Sequence, residues 1–266
     1  MDLRGMRTPD LTVNRRGVIK GLGALTVKGA ALADKWPVLR GPAPQGASAQ
    51  RADAARLPPV VAGIRLVDSK IARRAVELAQ LTYPPYLFNH AVRTFLFGSL
   101  TGRALGQRFD QELLFLACIL HDLGLTERFQ GDLPFEIQGA EAAKHFLEEN
   151  AYKTEGVETV WDGTAMHASA IGQFKRPEIA LVGEGAGVDV LGPDFSQIKK
   201  TDVAEVVKAF PRMGFKVAFV QTCGEVVRSH PRSASRSFMR DIGERYVQNF
   251  HPHNFCDLLA QSPFSE

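Results

Sequence analysis

The chain has 266 residues, 45% of them hydrophobic, with 24 Gly and 15 Pro; this suits one globular domain with an appendage and argues against a disordered chain. Net charge is +3, but of the 32 Lys/Arg and 29 Asp/Glu, eight and three fall within residues 1–49. The body, residues 50–266, is therefore nearly neutral, which argues against nucleic-acid binding, since that rests on Lys/Arg neutralising phosphates.

In chain order, the basic excess comes first. Arg15 and Arg16 precede a short Gly- and Ala-rich apolar stretch, with small-residue cleavage candidates at Ala30–Ala33 and Ala47–Ala49. The pair looks like a twin-arginine export signal, read by the export machinery. The expectation is a periplasmic or exported protein, with a retained cytoplasmic one as the alternative. The run is too short for a transmembrane helix and is broken by Lys28, so no stable membrane insertion is expected. A Pro/Ala-rich linker follows, and residues 1–49 are assigned to signal and linker.

From about residue 64 the periodicity is helical and strand-like alternation is scarce, so the fold class is all-α. Ser69 can cap a first helix whose apolar set is Ile71, Val76, Leu78 and Leu81. A second begins after Pro84 and Pro85, with Leu87, Ala91, Phe95 and Leu96 as one stripe and His90 close to it. Asp110 is an N-cap for the run "QELLFLACILHDL", with Glu112 in the first turn and Gly124 as the stop. "PFEIQGAEAAKHFLEEN", "VETVWDGTAMHAS" and "RPEIALVGEGAGVDVLG" read as further helices, the last weakened by Gly183, Gly185 and Gly187. "VAEVVKAF" and "FKVAFVQTCGEVVRSH" complete the set. Cys118, Cys223 and Cys256 fit neither a disulfide framework nor a thiolate zinc site; a Cys223–Cys256 bridge has no spacing argument behind it.

The feature that calls for chemistry is His121-Asp122, a polar pair closing the most apolar helix. Imidazole and carboxylate are both good ligands for Zn, Mn, Fe or Co. Adjacent helical residues diverge by about 100°, so the pair can flank one ion but not complete its shell. His90, on the preceding helix, is one further candidate. Asp189, an acid in an apolar context where an unpaired carboxylate is unfavourable, is another, with Asp194 as fallback.

A His, a His-Asp doublet some thirty residues on, and a later Asp resemble the metal signature of the HD-domain superfamily, here His90, His121, Asp122 and Asp189. The stretches "YPPYLFNHAVRTFLFG", "ACILHDLGLTERF", "PFEIQGAEAA", "HASAIGQFKRPEIALVGEGAGVDVLG" and "FPRMGFK" look together like its cyanamide-hydratase branch, over roughly residues 64–245. The resemblance implies a compact helical bundle around a divalent metal, and a lyase that uses zinc to add water to the nitrile of cyanamide, giving urea. Phe135 stands four residues before Gly139, where related phosphohydrolases place a histidine of a second metal set, which points to one metal.

A metal with an open position lowers the pKa of bound water from 15.7 to about 7. The reaction also needs proton transfer and a donor for the nitrile nitrogen. Glu136 is the candidate general acid/base, and His167 a second group, as donor or to orient substrate, beside Asp122. The competing reading is an HD-type phosphohydrolase, for which Arg93, Arg128, Lys175 and Arg176 could form a cationic rim; a helical binding protein with a vestigial site is a third. The partner expected is a small-molecule substrate, with a homo-oligomer as a base-rate expectation.

Overall fold

The computed structural model describes residues 57–192, 197–234 and 237–263. The signal and linker expected over residues 1–49, and the fallback ligand Asp194, lie outside the described residues, and no helix among those described is long and apolar enough to cross a membrane. The described residues form an all-α body, preceded by a two-residue-per-strand antiparallel hairpin, β1 (Val60–Val61) and β2 (Ile64–Arg65). The helices are α1 (Lys70–Thr82), α2 (Pro85–Ala104), α3 (Gln111–Leu120), α4 (Phe135–Glu149), α5 (Thr154–Met166), α6 (Pro177–Leu191), α7 (Lys200–Ala209), α8 (Phe215–Ser229), α9 (Met239–Tyr246) and α10 (Phe255–Ala260).

Their ends follow local chemistry. The Ser69 side chain accepts from Ala72 N, and the Asp110 carboxylate accepts from Glu112 N and Leu113 N, each satisfying helix N–H groups that have no intrahelical partner. Pro85 opens α2 at a position where its missing N–H has no cost. The fully buried stripe of α1 is Ala72, Ala75 and Ala79; of the larger residues expected from periodicity, Ile71, Val76 and Leu78 are half-buried against the core and Leu81 is 79% exposed. Three alanines on one face let α1 lie close against α3.

Helices α2, α3, α5 and α6 close a ring, each packing on the next and α6 returning to α2. In α3 every residue from Leu113 to Leu120 is buried, as befits a helix surrounded by others. The contact between α2 and α6 is the most extensive, and glycine makes it so. A Cβ on Gly185 would collide with Thr94 O, and one on Gly98 with Leu181 O. The glycines that weaken a helix prediction for α6 are thus the reason α6 can lie against α2. The expected stop at Gly124 is also displaced: α3 ends at Leu120, and Gly124 sits in a 3-10 turn, Leu123–Leu125, where a Cβ would collide with Phe135 O. Gly124 lets α4 dock on the backbone just after His121-Asp122. All three cysteines are free, Cys223 buried and Cys256 exposed, so no bridge joins them.

Gly185→Ala is expected to destabilise the protein by about 1–3 kcal/mol through overpacking of this crossing. At Gly187, two residues on, an added methyl would meet nothing within 4 Å, and Gly187→Ala should stabilise α6 by roughly 0.5–1 kcal/mol. Urea midpoints moving in opposite directions would bear this out; a shared sign would show that the α2–α6 crossing is looser than described.

Candidate metal centre

The ring of helices brings its chemistry to one end. His90 comes from the second turn of α2, His121 and Asp122 follow α3, His167 follows α5, and Asp189 lies in the last turn of α6. Three helix C-termini, those of α3, α5 and α6, converge there, and their partial negative charge favours a cation.

His121 and His167 are held in the same way. Each caps its helix, and each ring donates Nδ1–H to the carbonyl three residues earlier, His121 to Cys118 O at 2.7 Å and His167 to Thr164 O at 2.6 Å. A carbonyl can only accept, so Nδ1 carries the proton and Nε2 of the neutral ring presents a lone pair. His90 donates Nδ1–H to Asp189 Oδ2 at 2.7 Å, with the same consequence. All three Nε2 atoms face Asp122: His121 at 3.2 Å and His90 at 3.5 Å from Oδ2, His167 at 3.9 Å from Oδ1. Phe215 lies against the His90 ring, centroids 4.8 Å apart.

Asp189 does not join this convergence. The Arg93 guanidinium grips its carboxylate in a fork, Nε to Oδ1 and Nη2 to Oδ2, both at 2.7 Å. Arg212 Nη1 adds a bond to Oδ1 at 2.6 Å and another to the Asp189 carbonyl at 2.7 Å. With His90 on Oδ2, both oxygens are fully engaged. The structure thus places the expected fourth ligand behind His90, where it fixes the ring and its tautomer. Arg93, expected on a cationic rim, is wholly buried in this lock, and Arg212, which periodicity does not single out, completes it.

Charge follows the geometry. Burial opposes ionisation of Asp122, but His121 and its neighbours outweigh it and hold the carboxyl down at about 2. Burial likewise opposes protonation of His121, and the Asp122 carboxylate beside it wins, raising its pKa. His167 goes the other way, lowered to about 4 by burial and by the charge of His121. At neutral pH His167 therefore offers the cluster a lone pair rather than a proton. Asp189 is buried, yet the hydrogen bonds of His90 and Arg93 hold its carboxyl well below the usual range. Glu136 is raised by burial, only partly offset by Ser237, whose hydroxyl donates to Oε1 at 2.7 Å.

His90, His121 and Asp122 are buried and can place one ligand atom each within 4.8 Å of one another, close enough to hold one ion. His121 Nε2 and Asp122 Oδ2 are buried with no hydrogen-bond partner among the described residues. Unsatisfied buried atoms of this kind are unfavourable, and a cation satisfies both at once. The donor set therefore fits a divalent metal, as imidazole and carboxylate ligands do.

A cavity of about 510 Å³ opens over the cluster, walled by apolar residues that include Phe135, Met166, Val188, Leu191, Phe219 and Phe238. No Lys or Arg is among the described residues that line it. Lys175 faces Asp162 at 4.0 Å, Arg176 binds Glu178 at 2.9 Å, and Arg128 lies over the Phe129 ring. The cationic rim considered from sequence is not assembled. Glu136 does not line the cavity either, though its neighbour Phe135 does; Glu184, which no motif in the sequence singles out, does line it.

Two measurements check the roles of Asp189 and His167. Asp189→Asn should lose about 3–5 kcal/mol of stability, because Arg93 is left buried without its counter-charge, and should weaken metal binding about 10- to 100-fold; titration of metal into a variant with unchanged affinity would refute the role given to Asp189. The pH dependence isolates His167. An unfolded chain takes up the His167 proton near 6.5, the folded protein only near 4, so this group makes stability fall as pH drops through that window. Ion-free His167→Gln should therefore gain stability relative to wild type between pH 7 and pH 4, read from urea midpoints. A constant difference across that range would show that His167 titrates normally.

Among curated proteins, none matches this chain. Residues 87–183 match the family model described as HD domain, a span that holds His90, His121, Asp122 and His167 and ends before Asp189. That match and the buried His/Asp cluster support the HD superfamily for this chain, with the all-α bundle as its fold.

Proposed function

We propose that the protein is a metal-dependent hydratase that adds water across the carbon–nitrogen triple bond of a small uncharged nitrile, converting it to the amide. Cyanamide, giving urea, is the substrate that the resemblance of the sequence implies. The observation that carries the reading is the cavity: apolar, opening on the metal cluster, and without a Lys or Arg among its described lining residues. A phosphate ester needs cations for its non-bridging oxygens, and the four basic side chains that could have supplied them are committed elsewhere. A volume of about 510 Å³ lies within the range of drug-sized ligand sites, so nitriles with an apolar substituent fit as well as cyanamide does.

In this proposal His90, His121 and Asp122 hold the ion, with His167 Nε2 as the fourth donor, and zinc suits such an imidazole-rich set. These residues would hold a divalent ion whose chemistry, when bound, would be to lower the pKa of water towards neutrality and to polarise the nitrile. The carbonyls of Cys118 and Thr164 and the carboxylate of Asp189 keep the three rings aimed inward. Asp122 Oδ1, turned towards His167, is placed to accept a proton from the attacking water. The proton of the attacking water, taken up by Asp122, passes to the nitrile nitrogen; Glu136, the acid/base candidate from sequence, keeps its proton to higher pH than usual but lies outside the cavity lining and acts at most from behind Phe135. The apolar walls exclude bulk water, which strengthens each of these interactions.

Zinc-loaded protein should convert cyanamide, acetonitrile or pentanenitrile to urea or the amide, detected by mass spectrometry, while p-nitrophenyl phosphate and nucleoside monophosphates release no phosphate. Phosphate release without amide or urea would sink the proposal. His121→Ala should lose both the metal and the turnover; a full equivalent of metal retained by that variant would show that the ligand set is wrong.

A further inference from the structure

A second cavity, about 530 Å³, adjoins the first and is bounded by Thr101, Leu105, Gln107, Phe174 and Leu181. The two cavities share three lining residues, Gln173, Ala180 and Glu184. Ala180 and Glu184 are four apart on α6 and so lie on one face, one above the other. The same face continues through Gly187, Val188 and Leu191 over the first cavity. One side of α6 therefore lines both cavities, from the metal cluster at one end to Leu105 and Phe174 at the other.

Glu184 stands at the junction. Apart from Asp122 it is the one carboxylate among the described lining residues of either cavity, and no Lys or Arg lines either. It makes no hydrogen bond or ion pair among the described residues. The buried acids near the site each have a partner: Glu136 Oε1 accepts from Ser237, and Glu178 accepts from Arg176 and Asp110 N. A carboxylate that lines both cavities and faces no cation among the described residues is set to meet one from outside. Glu184 is five residues before Asp189, the residue behind His90, which separates the two by about 7.5 Å along α6.

We infer that Glu184 is a specificity-determining residue, which receives a primary ammonium or amidinium group on a substrate whose apolar part fills the cavity over the metal. The inference rests on the metal-side cavity being the substrate cavity, as the proposed function has it, but not on the nitrile chemistry. The negative charge of Glu184 also repels phosphate and carboxylate groups from the same cavities.

The test uses probes without a nitrile. Hexylammonium, 1-hexanol and hexanoate are titrated calorimetrically into the zinc-loaded full chain and into Glu184→Gln and Glu184→Lys, both at a half-exposed position that tolerates either side chain. Wild type should bind hexylammonium about tenfold more tightly than 1-hexanol, the worth of one charge-assisted hydrogen bond. Glu184→Gln should bind the two equally, and Glu184→Lys should prefer hexanoate. Equal affinity of wild type for hexylammonium and hexanol, no measurable binding of hexylammonium, or an ammonium preference kept by Glu184→Gln overturns the inference. Failure of nitrile turnover would leave these results standing, so the two proposals fail separately.

Discussion

The carboxylate of Asp189 is the point on which the site depends. Four N–H groups reach it, from His90, Arg93 and Arg212, in a place where neither Asp189 nor Arg93 touches solvent to any extent. Buried ion pairs contribute little net stability against an apolar packing of the same volume, because desolvation cancels most of their attraction. What they do is specify. Only one approach of α2 to α6 lets Arg93 grip Asp189 with both arms, and the glycines at 98 and 185 make that approach sterically available. The free Nη1 of Arg93 binds the carbonyls of Phe210 and Pro211, and Arg212 closes the lock from the same segment. The chain between α7 and α8 is thereby pinned against α2, which carries Phe215 onto the His90 ring.

The cluster shows the opposite balance. Each imidazole has its Nδ1–H committed to an oxygen, so three lone pairs and one carboxylate face a common centre. Protons can relieve this only in part: the raised pKa of His121 is the sign of one proton that the Asp122 charge would welcome, while His167 is pushed towards the neutral form by the same neighbours. A divalent cation would relieve His90, His121 and Asp122 together. Metal and protons thus compete for one set of atoms, and affinity for metal must decline as pH falls.

Much of this was legible in the sequence, and what was not has definite causes. The helix caps Ser69 and Asp110 and the buried run of α3 are local effects, readable from neighbours in the chain. The His121-Asp122 doublet stood out because a polar pair at the end of an apolar helix is unfavourable unless it is used. Periodicity misplaced one edge of the buried face of α1, since it ranks Leu81 above Ala79, whereas close helix contact ranks them in reverse. It weighed Gly185 as a weakness of α6, because the benefit of a missing Cβ appears only where another backbone crosses. Asp189 and Arg93 were both recognised, yet neither the hydrogen bond of Asp189 to His90 nor the fork of Arg93 on Asp189 was foreseen. Each is a group whose role is set by which atoms reach it across the bundle, and no spacing along the chain encodes that. Glu184 was passed over for the same reason: a Glu on a helix is ordinary until the walls on either side of it prove apolar.

Charge around the cluster bears on what it can process. A divalent ion with Asp122 leaves a local charge near +1, enough to draw the lone pair of a nitrile nitrogen or one oxygen of an anion. A phosphate ester brings more negative charge than that centre can neutralise, and the excess would have to be met by the walls. The walls over the metal cluster are mostly apolar, and among the described lining residues the one ionisable group beyond the metal cluster, Glu184, is itself an acid. The electrostatics of the cavities thus run from a cation at the buried end to an anion at the junction. A substrate that fits this gradient is electron-rich at the end that reacts and electron-poor or cationic at the end that is held. On the proposed function, the same order of charges that admits such a molecule disfavours a phosphate monoester.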